Sequence, residues 1–506
     1  MWESILQTIT NVNAFINGIV WGWPMIILIL GTGILLSIRT RFIQVRKFKQ
    51  SISGTILATF TDINKKDKDE GAKKQTKDGK SVSQFEAFCS AVAGTVGTGN
   101  IIGTSSAIIT GGPGAVFWMW ISAFFGMVTN FSENVLGLYY RKKDEKGDFC
   151  GGSFYYIKYG LKWKWLAYIA AIFCMFAAVG MSGVQTNKIS ESIVSAVGQL
   201  DNLTLKLIIG VVVAVFTALI IIGGIKRIGK VASIIVPFMT IIFILFALVI
   251  IFINVTAIPT AFGMIFSSIF EFKAMAGGFG GYVFANIVKK GMARGIFSNE
   301  AGLGSSVIAH SSSDTVEPVK QGMWGIFAVF FDTFVICTLM SLVFLTTYIN
   351  SGAIGSFTEN SSDAFLAMNS FTQNLGVLGT IVFSVMLPLF AFTTILAWAY
   401  YGEKATEFCF GNLNVKRRKI FVLIFKIVFV LLIVLSAVIE SKLIWDIDDT
   451  FNGLMAIPNL IALVLLSGKV KAITKNYYDR KKGLDVMPML SAHPDLNEEF
   501  ISKLKR

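Results

Sequence analysis

The sequence predicts an all-α integral membrane protein with eleven transmembrane helices. Of its 506 residues, 54% are hydrophobic and 15% are charged, whereas soluble domains carry about a quarter charged residues. Eleven apolar stretches each approach or exceed the length of about 20 residues that a helix needs to cross a bilayer. The basic residues are concentrated in alternate connections between these stretches. This composition argues against a disordered protein, a nucleic-acid-binding domain and a disulfide-rich secreted module.

The predicted membrane spans follow one another along most of the chain. A segment of residues 1–16 precedes the first span, a connection of residues 39–84 separates the first span from the second, and a tail of residues 468–506 follows the last. The eleven predicted spans are 17–38, 85–109, 114–140, 165–196, 204–223, 229–254, 281–308, 320–348, 377–402, 419–439 and 443–467.

The distribution of basic residues predicts the orientation in the membrane. Alternate connections hold 37 of the 45 Lys and Arg residues, whereas the loop 349–376 holds none and the loop 255–280 holds only Lys273. Basic residues accumulate in cytoplasmic loops. We therefore expect a multi-pass protein of the plasma membrane with an extracellular N-terminus, 1–16, and a cytoplasmic C-terminus. A missed or extra helix would destroy the alternation.

Two cytoplasmic segments are expected to contribute little to the fold. The segment 61–83 is rich in charged residues, and within it lies a Lys-rich loop, 61–80. A solvated, mobile linker is expected there, with a lipid-headgroup or partner site as the alternative. The tail 468–506 is expected to lack stable structure apart from a helix near 496–504. The five cysteines show no C-x-x-C spacing, which favours buried apolar side chains over a metal or redox role.

Two spans contain residues that do not suit a helix in lipid. The second span reads AGTVGTGN at 93–100, and the seventh reads FSNEAGLGS at 297–305. Unwound backbone inside a membrane is tolerated only where it is buried in protein or lines a polar cavity. Close packing of small residues is the alternative, and the spacing of Gly99 and Gly103 fits it. Packing does not explain the polar residues Asn100, Ser298, Asn299 and Glu300, so the sequence favours a binding site.

The positions of the two interrupted spans indicate a repeat. Apart from the first span, 17–38, the interruptions fall in the first helices of two groups of five, 85–254 and 281–467. Because five is an odd number, the two groups cross the membrane in opposite directions. Paired interrupted helices in inverted repeats are typical of the midplane site of a secondary transporter.

Further polar residues lie within predicted spans and are functional candidates. Gln185 and Asn187 lie in the fourth, and Thr393, Thr394 and Trp398 lie in the ninth. A threonine hydroxyl can also bond to a carbonyl of its own helix, so neither threonine alone is decisive.

The basic residues of the seventh span have several possible partners. Lys289, Lys290 and Arg294 either form a polar stripe toward an outer cavity, extend to the membrane surface, or pair with a buried carboxylate. The candidate carboxylates are Glu133, Glu191 and Asp332.

The sequence carries no signature of an enzyme, a channel or an ATP-driven pump. His310 and His493 are its only histidines, and both lie outside the predicted spans. There is no H-E-x-x-H, nucleophile elbow or G-x-x-x-x-G-K-[ST], and nothing resembles an ion filter. The protein is therefore expected not to be an enzyme.

Three motifs resemble the signatures of the alanine or glycine:cation symporter family. They are GTGNIIG at 97–103, GGPGAVFWMW at 111–120 and FSNEAGLGS at 297–305. The resemblance extends over roughly 15–470. It implies a LeuT-like fold, in which one extra N-terminal helix precedes two inverted repeats of five helices. It also implies symport of a small neutral amino acid with Na⁺ or, in some members, H⁺.

The resemblance also implies where the substrate and the cation bind. Carbonyl oxygens and hydroxyl groups at the first and eighth core helices would hold Na⁺, and the substrate would lie between the broken helices. The implied cation ligands are Ala93, Val96, Phe390, Thr393 and Thr394. The implied substrate-binding residues are Thr98, Gly99, Asn100, Gln185, Phe297, Ser298, Asn299, Thr394 and Trp398.

The chemistry of these residues agrees with an amino acid substrate. Amides of the broken helices supply donors to a carboxylate, and free carbonyls with Gln185 supply acceptors to an amino group. Phe297 and Trp398 are expected to close on the side chain, and their size favours alanine or glycine, with serine and glutamine left open. The expected partners are the amino acid, the cation and the bilayer. No nucleic acid and no obligate protein partner are expected.

Overall fold

The computed structural model describes residues 2–58, 82–145, 147–198, 202–270, 280–353, 362–439 and 441–504. Within these ranges the structure is helical except for loops and a two-stranded antiparallel hairpin, β1 (Lys142–Lys143) and β2 (Phe149–Cys150). The all-α class is therefore confirmed. The Lys-rich loop 61–80 lies outside the described residues.

The helices of the first half begin at the N-terminus and surround the first interruption. Short π-helical turns extend three of them, at Ser53–Leu57, Gly99–Gly103 and Ile157–Leu161. The helices are α1 (Trp2–Val20), α2 (Trp23–Arg39), α3 (Ile43–Arg46), α4 (Phe48–Ile52), α5 (Gln84–Thr95), α6 (Thr104–Gly111), α7 (Gly114–Tyr140), α8 (Ser153–Tyr156), α9 (Lys164–Ala196), α10 (Leu203–Ile221), α11 (Gly224–Ile253) and α12 (Ile258–Ser267).

The helices of the second half surround the second interruption. A π-helical segment, Phe330–Cys337, joins α15 to α16. The helices are α13 (Gly280–Asn299), α14 (Ser306–His310), α15 (Pro318–Val329), α16 (Thr338–Asn350), α17 (Asp363–Leu375), α18 (Val377–Cys409), α19 (Val415–Ser436), α20 (Ser441–Lys481) and α21 (Pro494–Leu504).

Nine helices in the described part of the chain are long and apolar enough to cross a membrane. Their outward surfaces carry exposed Ile, Leu, Val and Phe side chains, as expected where lipid is the solvent. The other two predicted spans, 85–109 and 281–308, are the interrupted ones, and each is divided into shorter pieces. The nine are Gln7–Arg39, Gly114–Tyr140, Lys164–Ala196, Leu203–Ile221, Gly224–Ile253, Pro318–Asn350, Val377–Cys409, Val415–Ser436 and Ser441–Lys481.

Close helix packing places the two interrupted helices at the centre of the bundle. The helix α5 packs against α11, α14 and α18, while α13 packs along α7. Small residues permit the second contact: a Cβ on Gly291 would lie 2.5 Å from the carbonyl oxygen of Ala115, and one on Gly295 would lie 2.9 Å from Cβ of Ser122. Side chains larger than hydrogen would force these two backbones apart.

The N-terminal segment is helical over residues 2–16. Residues 2–16 belong to α1, and a break at Trp21 and Gly22 separates α1 from α2. Pro24 lies in the first turn of α2, where its missing amide proton costs no hydrogen bond. The predicted first span, 17–38, therefore corresponds to the end of α1 and nearly all of α2.

The expectation that the tail lacks stable structure is wrong. The helix α20 continues to Lys481, and Val470, Ile473 and Tyr477 are buried on one of its faces. These positions are three and four residues apart, a helical period that the high charge of the tail obscured. The predicted helix near 496–504 is confirmed as α21, whose Phe500 is buried.

A buried arginine holds this tail against the segment that follows the second interruption. The guanidinium of Arg141 donates hydrogen bonds to the carbonyl oxygens of Ser311, Ser313 and Thr315 at 3.1, 2.5 and 2.6 Å. It also lies 5.4 Å from the ring centroid of Phe500 in α21. Arg141 therefore joins the end of α7, the segment 311–315 and the tail.

Replacing Arg141 with alanine should lower the melting temperature of the purified protein by about 5 °C or more. Three buried carbonyl groups would lose their donors, and a hydrogen bond to a charged group contributes about 1.5–3 kcal/mol. Arg227→Ala is the control, because Arg227 is exposed and donates to one carbonyl, that of Leu219, at 2.7 Å. Equal shifts in the two variants, measured by thermal denaturation in detergent, would contradict this role.

Candidate functional site

The first interruption lies between Thr95, where α5 ends, and the π-helical turn that starts at Gly99. The free amides of this stretch are satisfied by side chains. The amide of Gly97 donates to Oδ1 of Asn100 at 2.9 Å, and the amide of Thr98 donates to Oε1 of Gln185 at 3.1 Å. The predicted unwinding is therefore confirmed, and Gln185 reaches it from α9.

The second interruption separates α13 from α14 by a turn in left-handed backbone conformations. Gly302 and Gly304 have φ angles of +95° and +75°, and Glu300 has a φ angle of +54°. The amides of Gly302 and Gly304 donate to Oε1 of Glu133 at 3.1 and 3.0 Å. Glycine is favoured at such angles because it has no Cβ. The amides freed by the break thus bind a buried carboxylate from α7.

Asp332 joins the two interrupted helices. Its Oδ1 accepts a hydrogen bond from Nδ2 of Asn100 at 2.7 Å, and its Oδ2 accepts one from Oγ of Ser298 at 2.5 Å. Nδ2 of Asn100 also lies 2.8 Å from Oγ of Ser298. Asp332 is fully buried in the π-helical segment between α15 and α16. One carboxylate, which belongs to an adjacent helical element, therefore contacts both broken helices.

A cluster of hydroxyl and carbonyl oxygens lies next to the first interruption. The Thr394 hydroxyl oxygen lies 2.9 Å from the carbonyl oxygen of Ala93 and 3.1 Å from that of Phe390, and its one proton can be donated to either. The Thr393 hydroxyl lies 2.9 Å from the same carbonyl oxygen of Phe390, and Val96 directly follows the last residue of α5. Oxygen ligands of this kind suit a hard cation. The structure brings together four of the five predicted cation ligands and places the fifth at the helix end.

Two glycines allow these elements to approach. A Cβ on Gly97 would lie 2.5 Å from Oγ1 of Thr394 and 3.2 Å from Oε1 of Gln185. A Cβ on Gly99 would lie 2.8 Å from the ring of Phe297. The first interrupted helix therefore contacts α9, α13 and α18 at positions where no larger residue fits.

The two aromatic residues of the predicted pocket have different neighbours. Nε1 of Trp398 donates to Oε1 of Glu300 at 2.9 Å, and Glu300 also accepts from Oγ of Ser305 at 2.5 Å. The ring of Phe297 packs on Trp445, with centroids 4.8 Å apart. Trp398 therefore supports the turn of the second interruption, while Phe297 lies against α20.

The site is closed to solvent in this structure. The side chains of Thr98, Asn100, Gln185, Ser298, Asn299, Thr394 and Trp398 are all buried, with at most 1% of each residue exposed. Oγ1 of Thr98 finds no hydrogen-bond partner among the described residues. A buried hydroxyl without a partner is costly, so this atom is available to a ligand.

Comparison with known proteins identifies the family. The sequence profile of the sodium:alanine symporter family matches residues 6–489. The chain belongs to this family. It is a secondary transporter and not an enzyme.

Two relatives in the family are similar to this chain over nearly their full length. The sodium/alanine symporter AgcS of Methanococcus maripaludis is 41% identical over 472 residues, which cover 92% of this chain and 97% of AgcS. The probable sodium/glutamine symporter GlnT of Bacillus subtilis is 36% identical over 477 residues, which cover 94% of this chain and 92% of GlnT.

The fold of this symporter resembles that of a distant transporter of solved structure. The crystal structure of MhsT in complex with L-phenylalanine superposes with a TM-score of 0.56 at 14% sequence identity. The match covers 78% of this chain and 98% of MhsT. MhsT is a LeuT-fold transporter, so the predicted LeuT-like architecture is confirmed at the level of the fold.

The partner of Arg294 differs from the expected ones. Its guanidinium lies 3.3 Å from Oδ1 of Asp449 and 4.5 Å from the ring centroid of Trp445, both in α20. Of the carboxylates considered from the sequence, Glu191 pairs with Lys188 at 2.7 Å, while Glu133 and Asp332 bind groups of the interrupted helices. An ion pair and a ring contact therefore link α13 to α20 beside Phe297.

One polar candidate from the sequence supports the helix packing instead of the site. Nδ2 of Asn187 donates to the carbonyl oxygens of Ser436 and Ile439 at 3.2 and 2.8 Å. These carbonyls lie at and after the end of α19, where no helical amide is available to them.

Sequence reasoning did not place Glu133, Asp332 and Asn459 in the site. Nδ2 of Asn459 donates to Oε1 of Glu133 at 2.6 Å and to the carbonyl oxygen of Gly302 at 2.8 Å. Both carboxylates lie inside predicted spans, where an ionisable residue is a functional candidate by default. That signal marks Glu133 and Asp332 as candidates for the site from the sequence alone.

Proposed function

We propose that this transporter imports alanine or glycine together with Na⁺ by alternating access. The observation that carries this proposal is that the two interrupted helices contact each other through Asn100 and Ser298, while the first of them also contacts the Thr394 hydroxyl. Polar backbone and side-chain groups for a zwitterion and oxygen ligands for a cation are thus adjacent at one buried place. Occupancy by both would favour movement of one repeat against the other.

The substrate would bind between the interruptions through groups from four helices. Its carboxylate would accept from the hydroxyl of Thr98, whose side chain has no partner among the described residues. The amides of Gly97 and Thr98 would add to this when the substrate replaces the side-chain oxygens of Asn100 and Gln185 that they contact in this structure. Its amino group would donate to Gln185 and to carbonyl oxygens near Phe297. The remaining proposed contacts are Gly99, Asn100, Ser298, Asn299, Thr394 and Trp398.

The sodium ion would bind between α5 and α18, where the Thr394 hydroxyl of α18 contacts the carbonyl oxygen of Ala93 in α5. Its ligands would be the carbonyl oxygens of Ala93, Val96 and Phe390 and the hydroxyl oxygens of Thr393 and Thr394. A proton is the alternative coupling ion, with Glu300 as its carrier. Glu300 already accepts from Trp398 and Ser305, which favours a supporting role for this carboxylate and Na⁺ for coupling.

The membrane topology would consist of eleven spans. The segment 17–38 would be an extra helix, followed by the inverted repeats 85–254 and 281–467. The alternation of basic residues supports an extracellular N-terminus, 1–16, and a cytoplasmic connection, 39–84. The tail 468–506 would then lie in the cytoplasm.

The large aromatic residues at the proposed site favour a substrate with a small side chain. Phe297 and Trp398 are large, and the ring of Phe297 contacts the position of Gly99. AgcS and GlnT are named for alanine and glutamine, so relatives of comparable identity differ in substrate. Coupling to one Na⁺ contributes about 2.3 kcal/mol per 100 mV, or roughly fifty-fold accumulation before any sodium gradient.

Uptake of labelled alanine into proteoliposomes tests this function. An inward Na⁺ gradient should drive accumulation, and a K⁺ gradient should not. Unlabelled glycine should compete, and serine and glutamine should compete less. Accumulation driven equally by a pH gradient without Na⁺ would contradict sodium coupling. No uptake of alanine or glycine under either gradient would contradict the proposed substrates.

A further inference from the structure

A polar cavity lies on the side of the protein where the C-terminal helix packs, away from the interrupted helices. Its volume is about 500 Å³. Its walls are the hairpin β1–β2, the turn after α8, the end of α18 and the first three turns of α19. None of the proposed substrate or sodium ligands lines it.

Three of the four carboxylates that line this cavity are paired with basic side chains. Glu145 lies 2.7 Å from Arg418, Glu403 lies 2.9 Å from Lys426, and Glu407 lies 2.6 Å from Lys404. The fourth carboxylate, Asp144, accepts a hydrogen bond from the amide of Asp148 at 2.9 Å. Lys142, Lys158 and Lys419 in the same lining outnumber it, so the cavity favours an anionic ligand.

Lys142 and Lys158 have no carboxylate partner among the described residues. Both are half-buried, and their ammonium groups lie 4.1 and 5.6 Å from the ring centroid of Tyr159. Lys158 is also 4.9 Å from the ring of Phe408. Two ammonium groups that lie near one ring both add positive potential to this part of the cavity, which favours an anion as its ligand. Lys419 lies at the exposed edge of the same cavity.

The surroundings of the cavity indicate that it opens at the membrane surface. Arg418, Val422 and Lys426 face the cavity, whereas Leu423 and Ile424 on the same helix are 57% and 49% exposed. From residue 418 to residue 426 the helix rises about 12 Å, so the cavity reaches toward the hydrocarbon region. The start of α9 nearby carries two exposed stacked tryptophans, Trp163 and Trp165, which are typical of the headgroup level.

We propose that this cavity binds a phosphate group, supplied by the headgroup of an anionic phospholipid in the adjacent leaflet. The phosphate would lie between Lys142 and Lys158, with Lys419 at the entrance and the acyl chains along the apolar face of α19. Basic pockets between membrane helices bind such headgroups. A soluble phosphate would satisfy the lysines but would leave the apolar face without a role.

Thermal denaturation of the delipidated protein in detergent tests the proposal. Phosphatidylglycerol should raise the melting temperature, whereas phosphatidylcholine and inorganic phosphate should have little effect. The double variant Lys142→Gln/Lys158→Gln should need at least ten times more phosphatidylglycerol for the same shift. The matched control, Lys164→Gln/Lys230→Gln, removes two exposed lysines outside the cavity and should respond like the unmodified protein.

Three results would overturn the proposal. Equal stabilisation of the double variant and its control would show that the cavity lysines do not bind the lipid. Equal effects of the zwitterionic and anionic lipids would exclude recognition of charge. A full effect of inorganic phosphate alone would exclude the lipid as the source. If the double variant does not fold, the comparison uses Lys158→Gln, which should lose affinity, and Lys158→Arg, which should keep it.

Discussion

Replacing Asp332 with asparagine is expected to reduce sodium-driven alanine uptake by at least about a hundredfold. The carboxylate of Asp332 accepts hydrogen bonds from Asn100 and Ser298, which belong to different interrupted helices. An amide has one oxygen fewer and directs its NH₂ group at one of these donors. Two hydrogen bonds to a charged group contribute roughly 3–6 kcal/mol together, and each 1.4 kcal/mol corresponds to about a factor of ten.

The measurement is initial uptake in proteoliposomes at matched protein content. Asp485→Asn serves as the control, because Asp485 is exposed in the segment between α20 and α21. The melting temperature of Asp332→Asn in detergent separates a loss of transport from a loss of folding. A folded Asp332→Asn variant with more than a tenth of the normal uptake would show that this carboxylate does not connect the broken helices functionally.

Replacing Thr394 with valine is expected to raise the Na⁺ concentration for half-maximal uptake by tenfold or more. Valine keeps the shape of threonine but removes the hydroxyl that contacts the carbonyl oxygens of Ala93 and Phe390. If the hydroxyl contributes about 1.4 kcal/mol to the free energy of Na⁺ binding, its loss lowers the affinity for Na⁺ about tenfold. Thr394→Ser, which keeps the hydroxyl, should retain most of the affinity for Na⁺.

A threonine of the same helix provides the matched control. The Thr406 hydroxyl donates to the carbonyl oxygen of Gly402 at 2.7 Å, a bond within α18. Thr406→Val therefore removes a buried hydroxyl without affecting the proposed cation ligands, and its dependence on Na⁺ should be unchanged. Equal dependence on Na⁺ in Thr394→Val and Thr406→Val would exclude the proposed sodium site.

Local properties of the sequence were sufficient to predict much of the fold. The apolar stretches and the charged connections follow from the cost of polar groups in lipid, which acts on each segment separately. The interruptions near Gly97 and Gly302 were predictable for the same reason, because glycines and polar residues occur together where a helix should continue. The resemblance of the same motifs to one family then indicated the partner helices that carry Gln185 and Thr394.

Contacts between distant residues were not predictable from one sequence. Asp332 is 232 residues from Asn100, and Asn459 is 326 residues from Glu133. Burial and charge indicate that such groups need partners, but several partners are chemically equivalent until the packing is known. Arg294 illustrates this, because its partner Asp449 was not among the three carboxylates considered. The folded tail was missed because its charged residues concealed one apolar helix face.

The central proposal is that the amino acid and sodium bind together, at adjacent sites beside the first interrupted helix. Binding of labelled alanine to the purified protein in detergent tests it most directly. Binding should be saturable and should weaken at least tenfold when K⁺ replaces Na⁺. In Thr394→Val the binding should need more Na⁺ but reach the same maximum. Equal alanine affinity in Na⁺ and K⁺ would contradict the account, because the two ligands would then bind independently.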